Sequence, residues 1–210
     1  MKWMILALLS LSVVTASASD KIKFNFLDTE VSKMIEAYSK STGQKFVVDP
    51  SVRGKASIFV QEPITTEEAF NQLSSALAVN GFAISKQGDT MIVKSARNIQ
   101  RDLIEVSTEV PALKPERMAT WIYTFKNIAA AEVNRGVRIM PSRDGEMNTF
   151  DKNNQIIFTD WTSNLNRMAA ILKELDKPAD PAAAKLAAED KKGSMKREAS
   201  KKKEETKSSN

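Results

Sequence analysis

The chain of 210 residues contains no cysteine and no histidine. The first absence rules out disulfides, thiol nucleophiles and thiolate metal sites. The second removes Ser-His-Asp triads, His-Glu zinc sites and haem ligation by imidazole. Glycine is also sparse, at seven residues. No two of these have the spacing of a phosphate-binding P-loop, a dinucleotide fingerprint or the GxxG loop of a KH module. No run has EF-hand spacing. No cofactor and no metal site is expected. Carboxylate-only catalysis, of the kind used by glycosidases, remains possible. The candidate acids Asp49, Asp144, Glu146 and Asp160 all fall at expected turns, where capping and solvation account for them. Trp121 and Trp161 could stack on a ligand, but each adjoins an expected strand, which places them in packing.

What is present begins with a leader, MKWMILALLSLSVVTASASD. Lys2 supplies a positive start and Met4 to Val14 an apolar run too short for the roughly 20 residues of a membrane span. Ala16, Ala18 and Ser19 then offer small residues around a cleavage point. This pattern is that of a secretory signal peptide over residues 1–18, so the mature chain is expected to be exported, without a span. The formal net charge of +5 is unevenly spread. Residues 19–178 hold 21 Lys/Arg against 20 Asp/Glu, whereas residues 179–210 hold 9 against 6. The basic balance therefore lies in the tail and not on a folded face, which argues against nucleic acid as a partner.

Two stretches of α+β pattern lie between leader and tail. In the first, over residues 19–96, KIKFNF alternates as a half-buried strand. Asp28 or Thr29 then stands as a helix cap before the stripe Val31, Met34, Ile35 and Tyr38. KFVV, the turn DPSVRG and ASIFV follow. Thr65 and Glu68 fit a capping box ahead of Ala69, Phe70, Leu73, Ala76 and Leu77. FAISK and TMIVK flank Gln87-Gly88-Asp89 as a hairpin. The expected order is β-α-β-β-α-β-β, with two helices on one face of a small mixed sheet. Residues 97–115, with Pro111 and Pro115, read as a linker with room for a short strand. In the second stretch, 116–178, a strand ATWIYTF, a helix over 129–137 and a hairpin across Asp151 to Asn154 precede a last helix. Thr162 or Ser163 is expected to cap it, and Leu165, Met168, Ala169, Leu172 and Leu175 form its stripe. That order is β-α-β-β-α. Residues 179–210, rich in Ala, Lys, Glu and Ser, hold too little apolar surface to offset the entropy of ordering, so disorder is expected there.

The segment KFVVDPSVRGKASIFVQEPITTEEAFNQLSSALAVNGFAISKQGDTMIVK resembles the first periplasmic domain of secretins, the outer-membrane channels of type II secretion and type IV pilus systems. The same fold occurs in the short signalling domain of TonB-dependent receptors. The stretch FKNIAAAEVNRGVRIM…NNQIIFTDWTSNLNRMAAILKELDKP is similar to the next secretin domain, a small KH-like unit. A secretin continues into further domains and a barrel, where this sequence has its charged tail. The resemblance therefore implies a non-enzymatic periplasmic interaction module, an accessory or split component of such an assembly. Its implied partners are a secretin or an inner-membrane secretion or pilus component, with ring homo-oligomers as a further form. An alternative is a periplasmic signal-relay or ligand-binding module like the TonB-receptor domain. By resemblance, contact would run through strand edges, and the candidates are Phe24, Asn25 and Phe26 in KIKFNF and Ile58, Phe59, Val60 and Gln61 in ASIFVQ.

Overall fold

The computed structural model describes residues 21–178 apart from residue 103, together with residues 180, 181 and 185. The leader with Ala16, Ala18 and Ser19, and nearly all of the charged tail, lie outside the described residues.

The first unit is built from β1 (Lys21–Ile22), β2 (Phe26–Glu30), α1 (Val31–Thr42), β3 (Lys45–Val48), β4 (Lys55–Ile58), β5 (Ile64–Thr65), α2 (Thr66–Val79), β6 (Phe82–Gln87) and β7 (Thr90–Ser95). Its strands split into a three-stranded sheet, β3-β7-β6, and two pairs, β2-β4 and β1-β5. The helices do not lie on one face of one sheet. Their apolar stripes (Val31, Met34, Ile35 and Tyr38 on α1; Ala69, Leu73 and Leu77 on α2) pack with Val93 of the three-stranded sheet and with Ile58 and Ile64 of the pairs. The alternation in KIKFNF does not make one strand. Residues 23–25 leave the ladder so that Phe24, 2% exposed, can enter the core, where its ring meets Phe26 edge-on at 4.8 Å.

Helix ends follow local chemistry in part. Thr65 Oγ1 accepts from Glu68 N at 3.1 Å, and Gly43 closes α1 with φ +72°. Asp28 and Thr29 do not cap α1. They belong to β2, and the helix starts after Glu30 with no side-chain cap.

The segment between the stretches carries α3 (Ala96–Ile99) and β8 (Glu105–Ser107). The second unit continues with β9 (Met118–Thr124), α4 (Ala130–Val137), β10 (Glu146–Phe150), β11 (Gln155–Trp161) and α5 (Thr162–Leu175). Its sheet runs β10-β11-β9-β8, with β8 added parallel to β9 at one edge. Trp121, Phe158, Ile156, Leu165, Met168 and Leu172 close the core, and Trp121 stacks on Phe158 at 5.9 Å. The start of α5 is tied down differently from a simple cap. Thr162 Oγ1 donates to Leu113 O at 3.2 Å, and Ser163 Oγ donates to Glu116 Oε1 at 2.8 Å. Both hydroxyls are spent on the incoming chain before β9. A third cluster, Ala83, Ala96, Ile99, Met118 and Trp161, joins the two units. A cleft of about 180 Å³ also lies between them, with Phe70, Ile84 and Met91 facing Pro115, Glu116 and Arg117.

Candidate interaction surface

The two segments expected to present strand edges are brought together by the fold. β2 and β4 pair antiparallel, with Phe26 opposite Ile58 and Glu30 opposite Lys55. Each strand thus spends one edge on the other. Among the described residues this sheet has no third strand, so each keeps an outer edge with unpaired backbone groups.

The turn before β4 sets its position. The Asp49 carboxylate accepts from Ser51 N at 2.8 Å and from Ser51 Oγ at 2.6 Å, and those hydrogen bonds hold its pKa below the usual value. Gly54, at φ +120°, brings its carbonyl to Val31 N at 3.0 Å, and a Cβ there would run into the Asn80 side chain. Asn80 in turn donates from Nδ2 to Lys55 O at 3.4 Å and to Ala76 O at 2.9 Å, which fastens β4 to the end of α2. A bulge separates the pairs at Phe26 and Thr29. Within it Asp28 takes φ +45°, its N–H donates to Ser57 Oγ at 2.9 Å, and its carboxylate meets Lys55 Nζ at 2.7 Å. That hydrogen bond, with the charge behind it, raises the Lys55 pKa.

Strand alternation directs Phe26 and Ile58 inward and their neighbours outward. Leu27 is 74% exposed and Phe59 77%. Large apolar side chains are thus exposed at Leu27 on β2 and at Phe59, just past the end of β4, and the Asp28–Lys55 ion pair joins the same two strands. Such exposed side chains are normal singly, and here both belong to the segments that form the open strand pair.

The expected site residues divide accordingly. Phe24 and Ile58 are core residues, at 2% and 5% exposure. Phe26 and Val60 are half-buried and pack against the same core. Asn25, Phe59 and Gln61 are exposed. Leu27 was not among the candidates. Its signal was an apolar residue at the polar phase of the KIKFNFL alternation. A further open edge, β3, shows Val47 at 57% exposure. The candidate acids do not converge on a reaction centre. Asp49 holds its own turn, and Asp144 faces Arg97 at 3.6 Å and Arg143 at 3.7 Å. Asp160 is no turn residue but lies in β11, fully buried. Trp121 and Trp161 are both buried in packing. Among the described residues no group of three or more acidic side chains is placed to hold a metal ion, and no helix is long and apolar enough to cross a membrane.

Residues 24–93, which span all of this surface, match the family model described as the GspD-like N0 domain. The first unit, the N0 unit, is similar to the N0 domain of secretins. Beyond this N0 unit the similarity extends over most of the chain. Secretin XcpQ of Pseudomonas aeruginosa is 26% identical over 155 residues, 72% of this chain and 22% of XcpQ. Secretin GspD of Vibrio cholerae is 25% identical over 175 residues, 81% of this chain and 26% of GspD. The chain thus spans about a quarter of the length of these relatives. Among solved structures, the Klebsiella pneumoniae type II secretion system outer membrane complex of PulD, PulS and the PulC HR domain matches with a TM-score of 0.65 at 23% identity, over 78% of this chain and 27% of that one. The fold is therefore that of secretin N-terminal domains, α+β throughout.

Proposed function

We propose that the chain works by contact and not by reaction, as a periplasmic component of a secretin-based type II secretion assembly. In this reading the outer face of β2 and β4 in the N0 unit is the docking surface. What carries the proposal is the pairing, within the N0 unit, of open strand edges with the exposed Leu27 and Phe59. A partner strand laid along such an edge gains main-chain hydrogen bonds, while apolar side chains beside it give specificity. The Klebsiella complex contains a PulC HR domain beside PulD. By that likeness the partner sought is an inner-membrane component of the same kind, with the secretin itself as the other arm of the test.

Leu27→Asp and Phe59→Asp test the surface without touching the core. Proline at Phe24 or Ile58 would not, because both are buried. The expected outcome is at least a tenfold loss of affinity for an HR-type domain in each variant, measured by titration calorimetry, with far-ultraviolet circular dichroism unchanged. Full affinity in both folded variants would remove this face as the docking site.

A further inference from the structure

Domains joined in one chain move against each other by default, unless their interface is large and apolar. Here the shared apolar cluster is small: Ala83, Ala96, Ile99, Met118 and Trp161. A polar connection stands beside it. From α3 and the residue after it, Arg97 Nη2 donates to Arg143 O at 2.8 Å, and Gln100 Nε2 donates to Asp144 O. The same Arg97 faces the Asp144 carboxylate at 3.6 Å. All three contacts fall on one loop of the second unit, residues 141–145.

That loop is held from behind by one side chain. The Asp160 carboxylate, fully buried, accepts from Ser142 N at 2.7 Å and Ser142 Oγ at 2.5 Å. It also accepts from Trp161 N at 2.7 Å and Asn164 Nδ2 at 2.6 Å. Gly145 passes so close that a Cβ would overlap the Asp160 carboxylate. The neighbouring Trp161 fills the shared cluster itself. One residue of β11 thus shapes the loop, and the next packs the joint.

We infer that Asp160 is the positioning residue of an interunit latch: it presents the 141–145 loop so that Arg97 and Gln100 lock the N0 unit and the following unit into one rigid body. Arg97 is too exposed for its ion pair to do this alone. Direction comes from main-chain carbonyls aimed by a buried carboxylate, which a misplaced loop could not supply. The inference is independent of the docking face, since Leu27 and Phe59 take no part in the joint.

The chain has no native cysteine, so introduced pairs label uniquely. Spin labels at Glu67→Cys on α2 and Lys173→Cys on α5 report the distance between units by pulsed electron resonance on the full exported chain. The parent is expected to give a single narrow distribution. Asp160→Asn, and separately the double change Arg97→Ala with Gln100→Ala, should widen it at least twofold. The double variant lies outside both unit cores, so it decides the matter where Asp160→Asn disturbs folding. Thermal midpoints of the double variant should stay at parent values, which separates a latch from a general stabiliser. A broad parent distribution, or a width that neither variant changes, overturns the inference.

Discussion

The N0 unit seals its interior with hydrocarbon and rings, whereas the unit after it sets polar anchors at the ends of its sheet. In the first, the buried polar side chains are Ser74 and Ser85. In the second they include Asp160, Asp176 and Thr162. Asp176, just beyond α5, accepts from Lys126 N at 2.9 Å, Asn127 N at 2.7 Å and Tyr123 Oη at 3.0 Å. Asn154, at φ +53°, accepts from Ala130 N at 2.7 Å and donates to Phe125 O at 2.9 Å and Ile128 O at 3.1 Å. The second unit joins its strands and helices through irregular connections whose backbone groups have no ladder to satisfy them. A carboxylate or amide at each end does so instead. The N0 unit wraps short strands around two helices and has less need of such anchors. The N0 unit should therefore depend on packing, and the unit after it on packing together with charge and hydrogen bonds.

Core truncation gives the largest expected effect. Leu73 on α2 and Phe158 on β11 are both fully buried. Leu73→Ala should cost about 2–5 kcal/mol and Phe158→Ala about 3–5 kcal/mol. Trp121 and Trp161 both belong to the second unit or its joint, and the third tryptophan, Trp3, lies in the leader, so in a chain lacking residues 1–18 tryptophan fluorescence during urea unfolding reports on the second unit, while circular dichroism reports both units. Phe158→Ala is expected to lower the fluorescence midpoint, and Leu73→Ala only the dichroism midpoint. Equal shifts of both signals in both variants would mean that the units share one unfolding event and that the contrast has no energetic content.

Asp176→Ala should cost about 2–3 kcal/mol, because it leaves two backbone amides and a tyrosine hydroxyl without their acceptor. Burial pushes the Asp176 pKa up, but the hydrogen bonds from Asn127, Lys126 and Tyr123 outweigh that and hold it below 3.8. A carboxylate depressed in the folded state contributes stability that is fully present above its unfolded pKa and is lost as pH falls through the folded value. The fluorescence-detected stability should therefore drop below about pH 4 in the parent and be flatter there in Asp176→Ala. Tyr123 acts at the other end. Burial, then its bond to Asp176, raises its pKa to about 12. Its contribution is present below pH 10 and lost as pH rises from there through 12. An acid limb identical in parent and variant would show that the anchor's charge does not matter.

How much of this contrast was legible beforehand depends on the kind of contact. The stripes of α1, α2 and α5 were plain from periodicity except at Leu175, which is 44% exposed at the end of α5, and the order β-α-β-β-α of the second unit followed from its strands and turn residues. Thr65 and Gly43 acted as local rules require. What failed did so where a distant partner outbid a local role. Asp28 pairs with Lys55 and takes a bulge position, so it is not free to cap α1. Thr162 and Ser163 are claimed by Leu113 and Glu116. Phe24 leaves the strand because the core has room for its ring. In the sequence Asp160 reads as a turn acid, since nothing in TDWTS announces the Ser142 loop that it holds from 18 residues away. Periodicity sees which face is buried; it does not see which polar groups are spent on other segments.

The smallest expected effect tests the contrast at its exception. Ser85 lies on β6 two residues beyond Ala83, and alternation gives it the same face, the one turned toward the second unit. It is 6% exposed, and its Oγ has no hydrogen-bond partner among the described residues. A buried hydroxyl without a partner is a cost, so its removal should relieve more than it loses. Ser85→Ala is expected to leave the dichroism midpoint unchanged or raise stability by up to about 1 kcal/mol, in contrast to the loss at Asp176. A loss of more than about 1 kcal/mol would show that Ser85 is satisfied in solution, and that the N0 unit also relies on a polar anchor where it meets its neighbour.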